Sequence, residues 1–188
     1  MKLDKFDELV ACFEKLPGVG KKSALRYAYF VSLEKSFIGL NLSHCIEEAV
    51  RSLKKCKICG GLSEDEICEI CADDTRENEL LCIVENPRDI LILENSHSFE
   101  GKYFVLDNLS DENLEKLKFC IKNNGTKEII FALTPNINND ATTLFIEDKL
   151  NDLDLKFTKV AQGIPTGVSL ENIDSLSISK ALLGRVKI

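Results

Sequence analysis

Apolar residues recur at helical spacing in the first part of the chain. Leucine, phenylalanine and valine return every three or four positions over 3–16, which predicts an amphipathic helix. The stretch "PGVG" at 17–20 interrupts this pattern, and a second helix is expected over about 23–33. A third helix is predicted over 42–55, with Ser43 as its N-cap. The chain is therefore predicted to begin with a helical head that has a tight corner between its first two helices.

The pattern changes after Glu79, where short apolar runs alternate with helical stretches. The runs end in polar or turn residues, as buried strands do, and lie at 80–86, 103–108, 128–134 and 155–161. Helices are expected at 87–95, 111–123 and 139–150, with a last one near 177–183 before the basic end "GRVKI". This alternation implies a parallel or mostly parallel sheet with helices on its faces. The predicted fold class is α/β.

The composition fits a soluble globular protein. The chain has 188 residues, of which 44% are hydrophobic and 29% are charged. No apolar run approaches the roughly 18 residues that a membrane span requires. The N-terminal sequence "MKLDKFDELV" has acidic residues where a signal peptide would have an apolar core. We therefore expect an unprocessed cytoplasmic protein with no membrane partner.

Charge is distributed unevenly, although the net charge is −7 and the pI is near 5.0. An acidic total, taken alone, argues against nucleic-acid binding. Residues 1–55 carry 10 lysines and arginines against 7 acidic residues, whereas 56–76 carry 2 against 6 and the remainder carries 12 against 18. A basic head on an acidic body could bind phosphates at one place and a protein partner at another. The alternative is that both regions are only solvated surfaces.

The eight cysteines fall into two groups. A cytoplasmic chain is not expected to form disulfides, because that compartment keeps thiols reduced. Four cysteines stand alone, mostly in apolar surroundings, namely Cys12, Cys45, Cys82 and Cys120. We expect these four to be small buried hydrophobic residues.

The other four cysteines form the most specific motif of the chain, Cys56-x2-Cys59-x8-Cys68-x2-Cys71. Paired C-x2-C turns supply two thiolates each, and four thiolates satisfy the tetrahedral preference of zinc. The alternatives are a redox pair or unligated thiols. Four protein ligands leave no open position for a substrate, so one structural Zn²⁺ per chain is predicted. This polar, acidic stretch could bury little core of its own, and zinc would supply the missing stability.

The interrupted helix in "KLPGVGKKSALRYAYF" (15–30) has the pattern of a phosphate-binding corner. Gly18 and Gly20 permit a tight turn, and the next helix begins with backbone N–H groups that lack intrahelical partners. Lys22 and Arg26 are four residues apart, so they share one helix face just beyond this end. Such an arrangement is typical of a helix-hairpin-helix, which binds the nucleic-acid backbone without reading bases. The alternative is an ordinary corner with surface lysines.

Taken in this order, the motifs resemble those of the bacterial recombination-mediator family RecR, and the resemblance covers nearly the whole chain. Besides the cysteine spacing, the matching stretches are "LPGVGKKSALR" (16–26), "CIVENPRDI" (82–90), "YFVL" (103–106), "GIPTG" (163–167) and "ALLGR" (181–185). The resemblance implies a helix-hairpin-helix DNA-binding region at 1–55 and a four-cysteine zinc module at 56–76. It also implies a Toprim domain with a mostly parallel sheet at 77–162 and a short helical C-terminal segment at 163–188.

The resemblance further implies a non-enzymatic role in DNA repair and recombination. Proteins of this family act with RecO, and in many bacteria RecF, to load RecA onto single-stranded DNA coated by single-strand-binding protein. They are similar to ring-forming homotetramers that encircle DNA, so a nucleoid-associated location is implied. Carried over to this sequence, Lys22 and Arg26 would contact DNA beside Lys21, next to the turn at Gly18 and Gly20. The four clustered cysteines would hold zinc.

The same resemblance assigns a partner-docking face to the first Toprim strand. Glu85 and Asp89, which follow that strand, would lie on this face.

Two stretches depart from the family pattern. The loop after "YFVL", here "DNLSDENL", is shorter and more polar than in relatives, and "TGVSLENID" replaces a Gly-Gly and acidic run. These departures weaken the expected roles of the loop and of the C-terminal segment.

Two other functions remain open from the sequence. Toprim enzymes hold Mg²⁺ with a glutamate and a D-x-D pair, because closely spaced carboxylates suit hard cations. This chain keeps Glu85 but has Asn136 and Asn138 where charge would be needed, with Asp140 and Asp107 as substitutes. Divalent-dependent DNA cleavage would favour such a nuclease or primase. A zinc-bearing scaffold that binds only protein is the third possibility, and absence of DNA binding at low salt would favour it.

Overall fold

In the computed structural model, which describes residues 3–185, the chain divides between Leu53 and Lys54 into two compact units. The N-terminal unit contains α1 (Asp4–Glu14), α2 (Lys21–Tyr29), a π-helical segment (Phe30–Glu34) and α3 (Ser36–Ser52). Two helices joined by a corner are therefore present as predicted, although α2 begins at Lys21 rather than at Ser23.

Packing between α1 and α2 forms the core of this unit. Val10, Ala24 and Ala28 are buried there, and the two small alanine side chains let the helix backbones approach closely. Phe13 of α1 meets Tyr27 of α2 edge to face, with ring centroids 5.9 Å apart. The two helices are thus held together by their apolar faces.

The third helix begins earlier than predicted. α3 starts at Ser36, directly after the π-helical segment, so the predicted start at 42 with Ser43 as N-cap is wrong. Gly39 lies inside α3, although glycine usually weakens a helix. A Cβ at Gly39 would lie 2.3 Å from the carbonyl oxygen of Val31. The glycine therefore permits a close contact between α3 and the preceding segment, which outweighs its low helix propensity.

The four isolated cysteines divide evenly between buried and exposed positions. Cys82 and Cys120 are buried, as predicted, and burial raises the pKa of Cys82 to about 12 and that of Cys120 to about 11. Both thiols are therefore protonated at neutral pH. Cys12 and Cys45 are exposed, so their predicted burial is wrong. Cys12 lies on the α1 face turned away from the buried Val10, and α3 buries none of its described residues.

The second unit begins with a two-stranded antiparallel ladder and then forms a parallel sheet. The ladder joins β1 (Lys54–Lys55) to β2 (Leu62–Ser63), and the short helix α4 (Glu69–Ala72) follows. The strands of the sheet are β3 (Glu77–Val84), β4 (Gly101–Val105), β5 (Glu128–Ala132) and β6 (Lys156–Lys159). Their spatial order is β4-β3-β5-β6, and all neighbouring strands are parallel.

Helices connect the strands as the sequence predicts. They are α5 (Pro87–Asn95), α6 (Asp111–Asn124) and α7 (Ile137–Lys149), and a 3-10 turn (Leu170–Asn172) and α8 (Ser175–Leu183) follow the sheet. The α/β fold class with a parallel sheet is therefore confirmed. The last three residues of the predicted basic end lie outside the described residues. In the described part of the chain, the helices are all too short or too polar to cross a membrane.

Both faces of the sheet are buried, because successive residues of β3 point to opposite sides. Leu81 and Ile83 pack on one side with Phe104 of β4 and with apolar residues of α6 and α7. Cys82 and Val84 pack on the other side. This two-sided burial explains why the strands are continuous apolar runs in the sequence rather than alternating ones.

A charged network anchors the start of β3 to α5 and β4. The guanidinium of Arg76 donates to both carboxylate oxygens of Glu94, at 2.7 and 2.8 Å, and to the carbonyl oxygens of Phe99 and Gly101. Tyr103 donates its hydroxyl to Glu94 at 2.7 Å. Burial alone would raise the pKa of Glu94, but the hydrogen bonds from Arg76 and Tyr103 outweigh it and lower the pKa. The network therefore fixes the edge of the sheet on which the cysteine module is built.

Candidate functional site

The corner between α1 and α2 has the backbone geometry that its two glycines favour. Gly18 has φ +75°, a left-handed conformation that costs glycine little. Gly20 is the N-cap of α2 in an extended conformation and provides no side chain to cap the helix. A Cβ at either glycine would meet no atom within 4 Å, so the surface of the turn is open to a ligand. The corner therefore presents the uncapped first turn of α2 to solvent, where the positive end of the helix dipole favours an anion.

Three cations lie beside this helix end. Lys21, Lys22 and Arg26 are exposed, and α2 carries no acidic residue in its first turn. Within residues 3–185, no carboxylate forms an ion pair with any of the three. The guanidinium of Arg26 lies 5.3 Å from the centre of the Tyr27 ring, which orients it without neutralising it. The predicted DNA-contacting side chains are therefore brought together with their charges available.

The four cysteines of the zinc motif converge on one point. The sulfur atoms of Cys56, Cys59, Cys68 and Cys71 all lie within 4.8 Å of one another, and those of Cys59 and Cys68 are 3.6 Å apart. A tetrahedron with Zn–S bonds of about 2.3 Å has edges of about 3.8 Å, so the spacing fits zinc. Three of the four residues are buried. The module therefore holds a structural zinc, as predicted.

Backbone donors complete the zinc site. The N–H of Gly61 donates to the sulfur of Cys59, and the N–H of Cys68 donates to the sulfur of Cys56, both at 3.3 Å. Gly60 has φ +74°, the left-handed conformation that lets the first knuckle turn back on itself. These N–H groups stabilise thiolates in preference to thiols, which favours the metal-bound form.

The zinc module is joined to the end of strand β4. The carbonyl oxygen of Cys59 accepts from the N–H of Val105 at 2.7 Å. Lys55, just before the first cysteine, forms an ion pair with Asp107, just after β4. The module therefore positions the loop that leaves β4, and sequence reasoning missed Lys55 because its partner is 52 residues away.

The carboxyl ends of the parallel strands form a shallow polar cup. Glu85 follows β3, and Asp107 and Asn108 follow β4, while Asn139 of α7 closes the cup. Glu85 accepts hydrogen bonds from the N–H and the hydroxyl of Thr134, both at 3.0 Å, and from the side-chain amide of Asn139. The glutamate is thus held in place by neutral donors and is half-buried.

Of the other predicted acidic residues, Asp107 shares this cup with Glu85, whereas Asp89 and Asp140 lie outside it. Asp89 accepts from the N–H of Asn86 at 3.0 Å and forms a capping box at the start of α5. Asp140 lies 3.7 Å from Lys159 and lines a separate groove. Asn136 is the N-cap of α7 and accepts from the N–H of Asn139 at 2.9 Å. The structure thus assigns capping roles to Asp89 and Asn136, and it separates Asp140 from Glu85.

Family models match the chain in four consecutive segments. The model described as "RecR, helix-hairpin-helix" matches residues 6–50, and the RecR model for a zinc finger domain with four cysteines matches residues 53–73. "Toprim domain" matches residues 79–161, and "RecR, C-terminal" matches residues 163–186. The predicted order of the four parts is therefore confirmed.

Proteins with established names align with nearly the whole chain. A protein of Campylobacter jejuni subsp. doylei named "Recombination protein RecR" is 54% identical over 186 residues, which cover 99% of this chain and 98% of its own. A protein of the same name from Nitratiruptor sp. is 54% identical over 187 residues, covering 100% of this chain and 98% of its own. The Helicobacter pylori protein of that name is 48% identical over 185 residues, covering 98% and 96%.

Proposed function

The chain belongs to the RecR family of recombination proteins, and on that premise we propose that it is a DNA-binding mediator of recombination and repair. It acts without catalysis, together with RecO and, where present, RecF, to help RecA load onto single-stranded DNA. The observation that carries this proposal is the exposed corner, where Lys22 and Arg26 lie beside the uncapped end of α2 and form no ion pair within residues 3–185. Bound to DNA, the protein would be found at the bacterial nucleoid.

The corner suits phosphate binding in two ways that reinforce each other. Open backbone N–H groups can donate to phosphate oxygens, and the helix dipole adds a partial positive charge. Lys22 and Arg26 add two full charges on the same side of the helix. Contacts of this kind hold the backbone and do not read bases. Binding is therefore expected to be independent of sequence.

The acidic net charge of −7 requires several corners to act together. A single corner contacts few phosphates, so one chain alone would bind weakly. Apolar side chains of α3 are widely exposed, with Phe37 at 81%, Leu40 at 73% and Val50 at 78%, which supports burial against further copies of the chain. We propose a homotetrameric ring, in which avidity raises affinity by about 10² to 10⁴.

The salt dependence of DNA binding by the wild-type protein tests this proposal. A lone corner with three cations predicts a slope of log K against log salt of about −2 on single-stranded DNA and about −3 on duplex DNA, whereas four corners acting together predict about −8 and about −11. The measurement is fluorescence anisotropy from low to physiological salt, with the oligomer mass determined on the same samples. A monomeric protein that binds no DNA at low salt would exclude the mediator and favour the protein-binding scaffold.

We also propose that the acidic surface after β3 docks the partner protein RecO. Glu85 and Asp89 lie within five residues of the end of β3, and their acceptor atoms are already oriented by Thr134 and by the capping box. A preoriented carboxylate loses little conformational freedom on binding a basic partner. A magnesium site is less well supported here, because Asn136 and Asn138 replace carboxylates, and DNA cleavage that depends on divalent ions would favour the enzyme instead.

The double substitution Glu85→Gln and Asp89→Asn should weaken RecO binding by about tenfold or more, since both charges are lost while each side chain keeps one acceptor oxygen. DNA binding should remain at the wild-type level. Isothermal titration with purified RecO is the measurement, and Asp140→Asn with Glu147→Gln on α7 is the matched control. Equal weakening by the control pair would mean that overall charge, and not this surface, attracts the partner.

A further inference from the structure

Lys102 is a buried lysine in β4. Its exposed fraction is 5%, and it is the one lysine or arginine classed as buried among residues 3–185. The ammonium group donates to the carbonyl oxygen of Cys71 at 3.0 Å and to that of Asp73 at 2.9 Å. Both carbonyls belong to the end of the zinc module. The side chain therefore reaches from the sheet into the backbone that carries the fourth zinc ligand.

This ammonium has no carboxylate paired with it in the described part of the chain. The nearby carboxylate of Asp73 is exposed and accepts from the N–H and hydroxyl of Thr75 instead. Two neutral carbonyls satisfy the hydrogen bonds of the ammonium, and the exposed Asp73 carboxylate acts on it only through space, so that, besides the hydrogen bonds from Thr75, Lys102 helps to lower the pKa of Asp73. A buried charge of this kind is unfavourable unless an opposite charge lies close to it.

Besides the exposed Asp73 carboxylate, the zinc centre is an opposite charge next to Lys102, and it lies on the buried side of the lysine. Four thiolates and one Zn²⁺ sum to a net charge of −2, and the N–H donors from Gly61 and Cys68 carry no charge of their own. Exposed lysines next to the module are paired elsewhere, Lys57 with Glu66 and Lys55 with Asp107. The ammonium lies 3.0 Å from the carbonyl oxygen of Cys71, itself one of the four ligands, which places the lysine beside the cluster.

We propose that Lys102 is the counter-cation of the zinc–thiolate centre, a positioning residue that stabilises the bound metal through its charge and through the Cys71 backbone. The relation is reciprocal, since the dianionic centre makes the burial of the ammonium favourable. Lys102 lies in the sheet and outside the cysteine motif, so it ties metal retention to the folded sheet. The carbonyl of Cys71 fixes the end of the ligand-bearing turn, and the charge lowers the energy of the thiolates.

Zinc release from the holo-protein to a chromophoric chelator tests the proposal. Lys102→Met keeps the apolar stem and removes the charge, and it should release zinc about tenfold faster or more, as outer-shell substitutions do. Lys102→Arg keeps the charge, and its rate of zinc release should stay within about threefold of the wild-type rate. Lys156→Met is the control, because Lys156 is an exposed strand lysine that pairs with Glu128 at 2.8 Å.

The cobalt-substituted proteins separate charge from packing. Loss of the nearby cation in Lys102→Met should move the sulfur-to-cobalt charge-transfer band to longer wavelength, while Lys102→Arg and Lys156→Met keep the wild-type band. Wild-type zinc release and an unmoved band in Lys102→Met would overturn the proposal even if the protein melted earlier. If Lys102→Met fails to fold, the proposal is tested with Lys102→Arg alone. Rapid zinc loss or misfolding of Lys102→Arg would show that the shape of the lysine side chain, and not its charge, is required, and would overturn the proposal.

Discussion

Replacing Lys22 and Arg26 together with alanine should reduce DNA affinity by at least about 100-fold at moderate salt, with the fold intact. Each corner loses two of its three cations, so the slope of log K against log salt should become shallower by about 1.8 for every corner that contacts DNA. Both residues are exposed and form no ion pair in the described part of the chain. The double substitution removes the contact between Arg26 and Tyr27, which contributes about 0.5–1 kcal/mol at an exposed site.

Fluorescence anisotropy across a salt series measures this effect, with thermal unfolding and oligomer mass measured on the same samples. Lys118 and Lys122 on α6 offer a matched control, since they are also four residues apart on one helix. Their double alanine variant should bind like the wild type. Exchanging the cations, as Lys22→Arg with Arg26→Lys, should retain most of the affinity. An unchanged salt slope in the alanine variant would show that DNA is held elsewhere.

What the sequence predicted well depends on local spacing. Two cysteines three residues apart can share a metal ion whatever the rest of the chain does, and for that reason the spacing of Cys56 and Cys59 predicts a metal-binding pair. The corner depends equally on local geometry, because Gly18 and Gly20 determine the turn and α2 follows directly. The strands are continuous apolar runs in the sequence, a pattern that predicts a sheet buried on both faces.

What the sequence could not predict depends on distant contacts. Inside the early part of α3, Gly39 packs closely against Val31, and this contact is not evident from composition. Glu85 was identified as a carboxylate after a strand, but its immobilisation by Asn139 joins residues 54 positions apart. In the sequence, nothing distinguishes Lys102 from other strand lysines. Its hydrogen bond to the carbonyl oxygen of Cys71, in the zinc module, becomes evident only in the folded structure. Local sequence patterns thus predict which residues are candidate ligands and phosphate contacts, whereas tertiary packing determines which charged side chains form ion pairs or hydrogen bonds.

Cys68→Ser should remove the zinc and unfold the second unit at least in part. Structural zinc contributes an apparent binding free energy of about 10–16 kcal/mol, whereas a whole domain is stable by about 5–15 kcal/mol. A serine hydroxyl is a poor zinc ligand, so the loss of one thiolate of four removes most of that contribution. Cys68 is buried, and its sulfur lies 3.6 Å from that of Cys59, so the substitution removes a ligand from the centre of the cluster.

The damage should extend beyond the module, because the zinc site is joined to the sheet. The Cys59 carbonyl accepts from Val105 in β4, and the Cys71 carbonyl accepts from Lys102 in the same strand. Without zinc, these contacts lose their rigid partner, and a buried ammonium loses the opposite charge next to it. We therefore expect aggregation or a fall in Tm of about 10 °C or more, since a loss of 1 kcal/mol lowers Tm by about 2–8 °C in domains of this size range.

Metal content by mass spectrometry and thermal unfolding measure the result. Wild type should contain one zinc per chain, and Cys68→Ser should contain almost none. Cys45→Ser is the control for replacing a cysteine by a serine outside the zinc site, because Cys45 is exposed and lies outside the cysteine motif. Cys82→Ser controls for the loss of a buried thiol and should retain its zinc even if it is less stable. A Cys68→Ser protein with full zinc content and a wild-type Tm would show that three thiolates suffice, and the module would then have an open coordination position.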